Sequence, residues 1–541
     1  MTVSNIPVPR NEPVLGYAPC TPERTALKGA LATMRDQTTE IPAVIGGRQF
    51  RSGKTVDVVS PHEHRRVLAR AHSASDETIA AAVTAAVEAQ RGWAAMRFED
   101  RAAVFLKAAD LLAGPWRPLV NAATMLGQSK TCHQAEIDGA CELIDFLRFN
   151  VHYAERLYRE QPESAPGTWN RLEHRPLEGF VYAITPFNFT AIGGNLPTAP
   201  AILGNVAIWK PAGSALLSNW VVFQALETAG LPPGVINFLP GNAVAISQRL
   251  LADRHLAGIH FTGSTEVFHS LWRTVAENLP SYKSYPRLVG ETGGKDFVVA
   301  HASADVQALA VGLVRGAFEY QGQKCSAASR AYIPDTLWPE VRERMVAMIG
   351  EIAMGDVSDF RNFMGAVIDR KAFTKLKGYL DEAKTDPSLE IVTGGGADDS
   401  TGFFVEPTVI RSDDPAHTLM CEELFGPVLT LHVYPAAEWE ETLRLVDRTS
   451  PYALTGAVFA RDRGALAAAD RALVHAAGNF YVNDKPTGAI VGQQPFGGAR
   501  ASGTNDKAGS ILNLMRWVSP RTIKETFVPP HDWRYPFLGA E

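Results

Sequence analysis

From Phe180 onward, short runs of β-branched and aromatic residues alternate with longer helical stretches, and this alternation constrains the fold more than any other feature of the chain. VYAIT leads to AIWK and a helical run from Ser214 to about Ala229. VINFLPG, a helix to about Asp253, GIHFTG and a helix from Ser264 continue the series. Strands separated by helices of this length pair in parallel, with helices covering both faces. A second series begins with FVVAHA near Phe297, passes through helices around 306–320 and 338–351, and returns to strands in EPTVI and PVLTLHVY. The expected class is α/β with two doubly wound parallel sheets. A chain of 541 residues also exceeds what one core supports, so more than one domain is expected.

Ahead of these series, the first forty residues lack clear periodicity, and IPAVIGGRQFRSGKTVDVVSP reads as short strands joined at a Gly-Gly turn. From Ser75 to about Tyr158, apolar residues recur at helical spacing. Between Gly179 and Trp209 no residue is charged, but Pro186, Pro197 and Pro200 interrupt the stretch, which reads as buried strands and a loop rather than a membrane span. The net charge of -6, with Lys and Arg scattered, offers no footprint for nucleic acid or an anionic membrane, which leaves a small molecule as the expected partner. The cysteines Cys20, Cys132, Cys141, Cys325 and Cys421 contain no C-x-x-C pair. Neither a disulfide framework nor a metal site follows, and with no targeting segment visible a cytoplasmic enzyme is expected.

Familiar catalytic signatures fail on spacing. RQFRSGKT ends like a phosphate-binding loop but has Arg48 where glycine is required, and G-x-S-x-G, H-E-x-x-H and G-x-G-x-x-G do not occur. The chemistry therefore rests on other segments. In YQGQKCSAASR, Cys325 has Lys324 on one side and small residues on the other, a setting that suits a thiolate nucleophile, although a lone cysteine is more often a buried hydrophobe. Glu291 in LVGETGGKDF lies 34 residues earlier beside a Gly-Gly pair. A carboxylate there suits a general base for water, or is an ordinary turn acid. Asn188 in ITPFNFT is an amide able to donate to an oxyanion or to a loop carbonyl. EELFGPV and PFGGARASG complete the set.

In this order and spacing the five segments resemble the aldehyde dehydrogenase superfamily from about Ile41 to the C-terminus. The resemblance implies that Cys325 is the nucleophile, Glu291 the general base, and Asn188 with the Cys325 backbone amide the oxyanion donor. It implies NAD as cofactor, held by Thr185, Phe187, Lys210, Gly263, Ser264, Glu423 and Phe425. Gly213 stands where the family commonly has an acid that discriminates against a ribose 2′-phosphate. It further implies a Rossmann-like cofactor domain over 1–162 and 181–290, a catalytic domain over 291–497, and a small β oligomerisation arm from 163–180 and 510–541. A homodimer or larger homo-oligomer would follow.

CELIDFLRFN, FEYQGQKCSA and NDKPTGAIVGQQPFGGARASGTNDK resemble the branch of this family that oxidises the semialdehyde of glutamate. That branch implies a carboxylate anchor at Ser326 and the backbone amides of Gly488 and Ala489, aromatic walls at Phe189 and Phe496, and Glu142 facing the ammonium. Some members have serine where Ala489 stands. For Glu142 the competing expectation is a helix-surface acid paired with Arg148 or a lysine. A dehydrogenase for another acid-bearing aldehyde, such as succinate semialdehyde, is the alternative activity. Docking with a proline-oxidising enzyme is a possible partnership.

Overall fold

The computed structural model describes residues 5–540. Its first large sheet has seven strands in the order Arg287–Glu291, Leu256–Thr262, Phe180–Ile184, Val206–Lys210, Ile236–Phe238, Ala43–Ile45, Arg48–Phe50. The first five run parallel. Phe180–Ile184, Val206–Lys210 and Leu256–Thr262 are buried at every position, as a strand covered on both faces must be. The two N-terminal strands join antiparallel, so the sheet is mixed rather than purely parallel. Their hairpin turns at Gly46 and Gly47, with φ of 56° and 75°, a conformation that a Cβ disfavours.

The second large sheet runs Leu389–Thr393, Thr408–Ser412, Val428–Tyr434, Ala328–Pro334, Asp296–Ala300, Thr455–Phe459, Asn479–Val482. It is parallel except for Leu389–Thr393 at one edge. The core of the first sheet includes Phe105, Leu143, Trp209 and Phe238, and Trp517 joins it from near the C-terminus. The Trp517 carbonyl accepts from Asn205 Nδ2 at 2.8 Å. Beyond it, Val518–Thr526 pairs antiparallel with Thr168–Pro176 as a separate two-stranded ribbon. Among the described residues, no helix is long and apolar enough to cross a membrane.

Two local expectations are corrected. The aperiodic N-terminus contains a helix, Pro22–Arg35, which starts on a proline and buries Leu27 and Leu31. The stretch expected as a loop after Ile184 contains a helix, Thr190–Ile202, with Pro197 and Pro200 inside it. Pro200 has no N–H to give the Leu196 carbonyl, and His260 Nδ1 meets that oxygen instead at 2.9 Å. At the other end, the Asp138 carboxylate accepts from the Thr190 and Ala191 amides at 3.0 and 2.8 Å, which satisfies donors that the helix leaves free.

Candidate active site

Cys325 sits in a loop between the helix Val306–Phe318 and the strand Ala328–Pro334. Three residues before Lys324 have φ between 52° and 64°, namely Tyr320, Gln321 and Gly322. For Tyr320 and Gln321 this is strained backbone, kept only where surroundings enforce it. The enforcement is visible. Gln321 Nε2 donates to the Ser129 and Ala366 carbonyls at 3.0 and 2.8 Å, and Gln323 Oε1 accepts from the Ile368 amide at 2.9 Å. Lys130 Nζ, paired with Asp138 at 2.7 Å, lies 4.4 Å from the Tyr320 ring centroid and 4.2 Å from that of Phe189. A Cβ on Gly294 would stand 2.2 Å from the Cys325 carbonyl oxygen. The second glycine of the Gly-Gly pair therefore admits the nucleophile loop.

Cys325 is only 9% exposed. Burial pushes its pKa well up, and the Asp296, Glu423 and Glu291 carboxylates push it further in the same direction. The loop thus brings the predicted base within electrostatic reach of the predicted nucleophile. Glu291 ends its strand with Oε2 buried and without a hydrogen-bond partner. Burial raises its carboxyl well above the usual range, against the Gly498 amide and the Lys507 charge. A Cβ on Gly497 would lie 2.8 Å from Glu291 Oε1, so glycine makes room for the acid. Asn188 is buried, and its Nδ2 donates to the Gln323 carbonyl at 3.1 Å. One amide hydrogen is thereby fixed to the nucleophile loop, and the other is available for an oxyanion.

All six residues expected at the substrate end, Glu142, Phe189, Ser326, Gly488, Ala489 and Phe496, line one cavity of about 330 Å³ together with Cys325. Ser326 Oγ donates to Thr487 Oγ1 at 2.9 Å, which puts a second hydroxyl beside the position of Ala489. Thr487 was not foreseen. Glu142 closes a π-helical turn, Glu136–Glu142, a local widening that often marks functional sites. Burial, with the Asp138 charge, pushes its carboxyl up to about 8. Pairing with Arg148 is ruled out as its explanation, because Arg148 is bonded to Glu12 at 2.6 Å and Asp110 at 3.1 Å. The cavity also holds charges that sequence reasoning missed. Glu319 pairs with Arg315 at 2.8 Å and Lys324 at 3.2 Å, with Lys485 at 3.8 Å. Burial pushes Glu319 upward, but Lys324, Lys485 and Arg315 outweigh it and hold the acid at about 2. Lys485 Nζ donates to the Thr487 carbonyl at 2.9 Å, next to the anchor loop.

The residues expected at the cofactor end do not line this cavity. Thr185, Phe187, Lys210, Gly263 and Ser264 lie at or just beyond the carboxyl ends of the first sheet's parallel strands, where α/β sheets bind ligands. Thr185 Oγ1 accepts from Trp209 Nε1 at 3.1 Å. Burial alone lowers Lys210 to about 8, and its amine, charged or neutral, can hydrogen-bond ribose hydroxyls. Ser264 caps the helix Thr265–Asn278, whose N-terminal amides suit a pyrophosphate. Glu423 Oε1 accepts from the Gly294 amide at 2.9 Å, and a Cβ on Gly293 would meet Glu423 Oε2 at 2.6 Å. Phe187 and Phe425 meet edge to face at 5.7 Å. This donor set fits a dinucleotide.

Comparisons agree with this geometry. Residues 49–523 match the aldehyde dehydrogenase family. The chain is 53% identical to the mitochondrial delta-1-pyrroline-5-carboxylate dehydrogenase of Dictyostelium discoideum over 99% of this chain and 96% of that one. It is 49% identical to the mitochondrial enzyme of the same name from Homo sapiens, covering 98% and 94%. A crystal structure of the delta-pyrroline-5-carboxylate dehydrogenase from Mycobacterium tuberculosis, bound with NAD, superposes with a TM-score of 0.97 at 56% identity, covering all of both chains. The cytoplasmic location expected from the sequence is corrected by the mitochondrial relatives. Unpaired cysteines report a reducing milieu, not which compartment supplies it.

Proposed function

The chain belongs to the aldehyde dehydrogenase family, and from that premise we propose that it oxidises L-glutamate 5-semialdehyde, in equilibrium with 1-pyrroline-5-carboxylate, to L-glutamate with NAD, the second step of proline catabolism. One observation carries this reading. A single cavity holds Cys325 together with a carboxylate anchor at Ser326, Gly488 and Ala489 and a half-buried acid at Glu142, groups that a simple aldehyde has no use for.

The Cys325 thiol, held protonated by burial and its carboxylate neighbours, releases its proton to solvent and attacks the aldehyde carbon as thiolate, and the carbonyl electrons move onto oxygen. The second Asn188 amide hydrogen and the Cys325 backbone amide hold that oxyanion, each donor contributing about 3 kcal/mol. Bound NAD supplies the acceptor for the hydride that leaves the tetrahedral carbon. A thioester remains on Cys325. Glu291 takes a proton from water, the hydroxide adds to the thioester, and glutamate leaves as the thiolate is released. Glu142 accepts the substrate ammonium, whose charge would favour ionisation of a carboxyl that burial otherwise holds at about 8. Phe189 and Phe496 clamp the methylenes.

Thr185, Phe187, Lys210, Gly263, Ser264, Glu423 and Phe425 would hold the cofactor, so the first sheet, with 1–162 and 181–290, is the NAD-binding domain and 291–497 the catalytic one. The two-stranded ribbon Thr168–Pro176 with Val518–Thr526, inside the arm expected from 163–180 and 510–541, exposes Trp169, with Phe527 and Val528 exposed just beyond it, which supports a role as the arm of a homodimer or higher homo-oligomer. A proline-oxidising enzyme is the partner whose product this cavity would take.

Steady-state rates test the reading. kcat/KM for glutamate semialdehyde is expected to exceed that for succinate semialdehyde by about tenfold or more, since losing a charge-assisted ammonium contact costs about 1.5–3 kcal/mol. A preference for succinate semialdehyde would refute it. The same assay run with NADP in place of NAD should be slower, and parity would show that Gly213 opens the ribose site.

A further inference from the structure

We infer that the N-terminal segment 11–17 is a built wall of the substrate cavity, and that Asn11 positions the carboxylate anchor against the ammonium acceptor. This rests on the reading that the cavity takes glutamate semialdehyde. The segment lies outside the family match, which begins at residue 49. Asn11, Glu12 and Val14 nevertheless line the same cavity as Cys325.

The segment is stitched to two elements far apart in sequence. Asn11 Nδ2 donates to Asp145 Oδ2 at 2.8 Å and to the Val491 carbonyl at 2.7 Å. Its Oδ1 accepts from Gln493 Nε2 at 2.9 Å. Both amide hydrogens and the amide oxygen are therefore engaged. Val491 and Gln493 belong to the loop that carries Gly488 and Ala489, and Asp145 is three residues beyond Glu142. The Glu12 backbone amide donates to Asp145 Oδ1 at 2.8 Å, and its carboxylate pairs with Arg117 at 2.5 Å and Arg148 at 2.6 Å. Farther along, the Leu15 amide and Tyr17 hydroxyl donate to Glu136 at 2.8 and 2.7 Å, at the start of the π-turn that ends in Glu142.

One irregular segment thus ties the loop that anchors the substrate carboxylate to the turn that meets its ammonium. Among the described residues 11–17, Asn11 alone is hydrogen-bonded both to that loop and to Asp145, in the first turn of the helix Leu143–Arg159 that continues from Glu142. The distance between the two recognition points is set through it, whereas its hydrogen bonds go to Asp145, Val491 and Gln493 and not to Cys325, Asn188 or Glu291. Asn11 is a positioning residue for specificity.

The test uses the full chain carrying Asn11→Ala, with Gln493→Ala as a second variant that removes one bond of the same set. kcat and KM are measured for glutamate semialdehyde and for propanal, which has neither recognition group, at saturating NAD, alongside melting temperature. Asn11→Ala, which deletes all three of these hydrogen bonds, is expected to raise KM for glutamate semialdehyde about tenfold or more, with kcat and the propanal constants unchanged. Gln493→Ala should move the same KM less. Equal losses on both aldehydes, or no change on either, would overturn the inference. If the unmodified enzyme itself prefers succinate semialdehyde, the functional reading fails instead, whatever Asn11 does.

Discussion

Cys325→Ala is expected to lower kcat by roughly a millionfold, the scale seen when a covalent nucleophile is removed, while NAD binding is retained. The substitution deletes one sulfur from a loop whose shape is held by other groups, chiefly Gln321 and Gln323 through the Ser129, Ala366 and Ile368 backbone. The cofactor-end residues lie at the first sheet, apart from Glu423, which is fixed by the Gly294 amide, and Phe425, which packs on Phe187, so none depends on the thiol. Removing the sulfur also takes a group with a strongly raised pKa away from three carboxylates, which gives the variant no reason to unfold. Titration of NAD by fluorescence, set beside single-turnover assays, separates binding from chemistry. Substantial remaining turnover would refute covalent catalysis at this position.

Much of the fold was legible because burial writes directly into the sequence. A strand covered on both faces must be apolar throughout, and VYAI, AIW and GIHF are buried where that rule puts them. Cys325, Glu291 and Asn188 were legible because their chemistry tolerates few residue types. The helix Thr190–Ile202 was not, since two prolines argue locally for a loop, and only a distant histidine at position 260 takes up the carbonyl that Pro200 leaves free. Glu142 was ambiguous for a similar reason. Its sequence offers Arg148 as a helical partner, but Glu12, from a segment 136 positions away from Arg148, has taken that guanidinium. The N-terminal wall of the cavity was invisible, because every contact that defines it spans more than a hundred residues.

Glu291→Gln is expected to slow steady-state turnover by about 10²–10⁴-fold, the usual worth of a general base, while sparing the first hydride transfer. The result is a burst of NADH, and a thioester on Cys325 that mass spectrometry can capture. Two pH signatures follow from the burial of this acid. Only the ionised carboxylate accepts a proton from water, and burial holds its pKa well above the ordinary 4.5, so thioester hydrolysis in the parent enzyme should quicken as pH rises through that higher value. The glutamine variant should lose this dependence. Stability moves the opposite way. The folded protein keeps a proton on Glu291 that the unfolded chain releases near 4.5, so Glu291 costs increasing stability as pH climbs from 4.5 to its folded value. A neutral amide has no such penalty. Glu291→Gln should therefore melt above the parent at neutral pH, with a gap that widens across that window, as expected where an active site holds an acid against its solvation. A variant that loses the burst along with turnover would contradict the assigned role, and melting curves that stay parallel from acid to neutral pH would contradict the burial that underlies it.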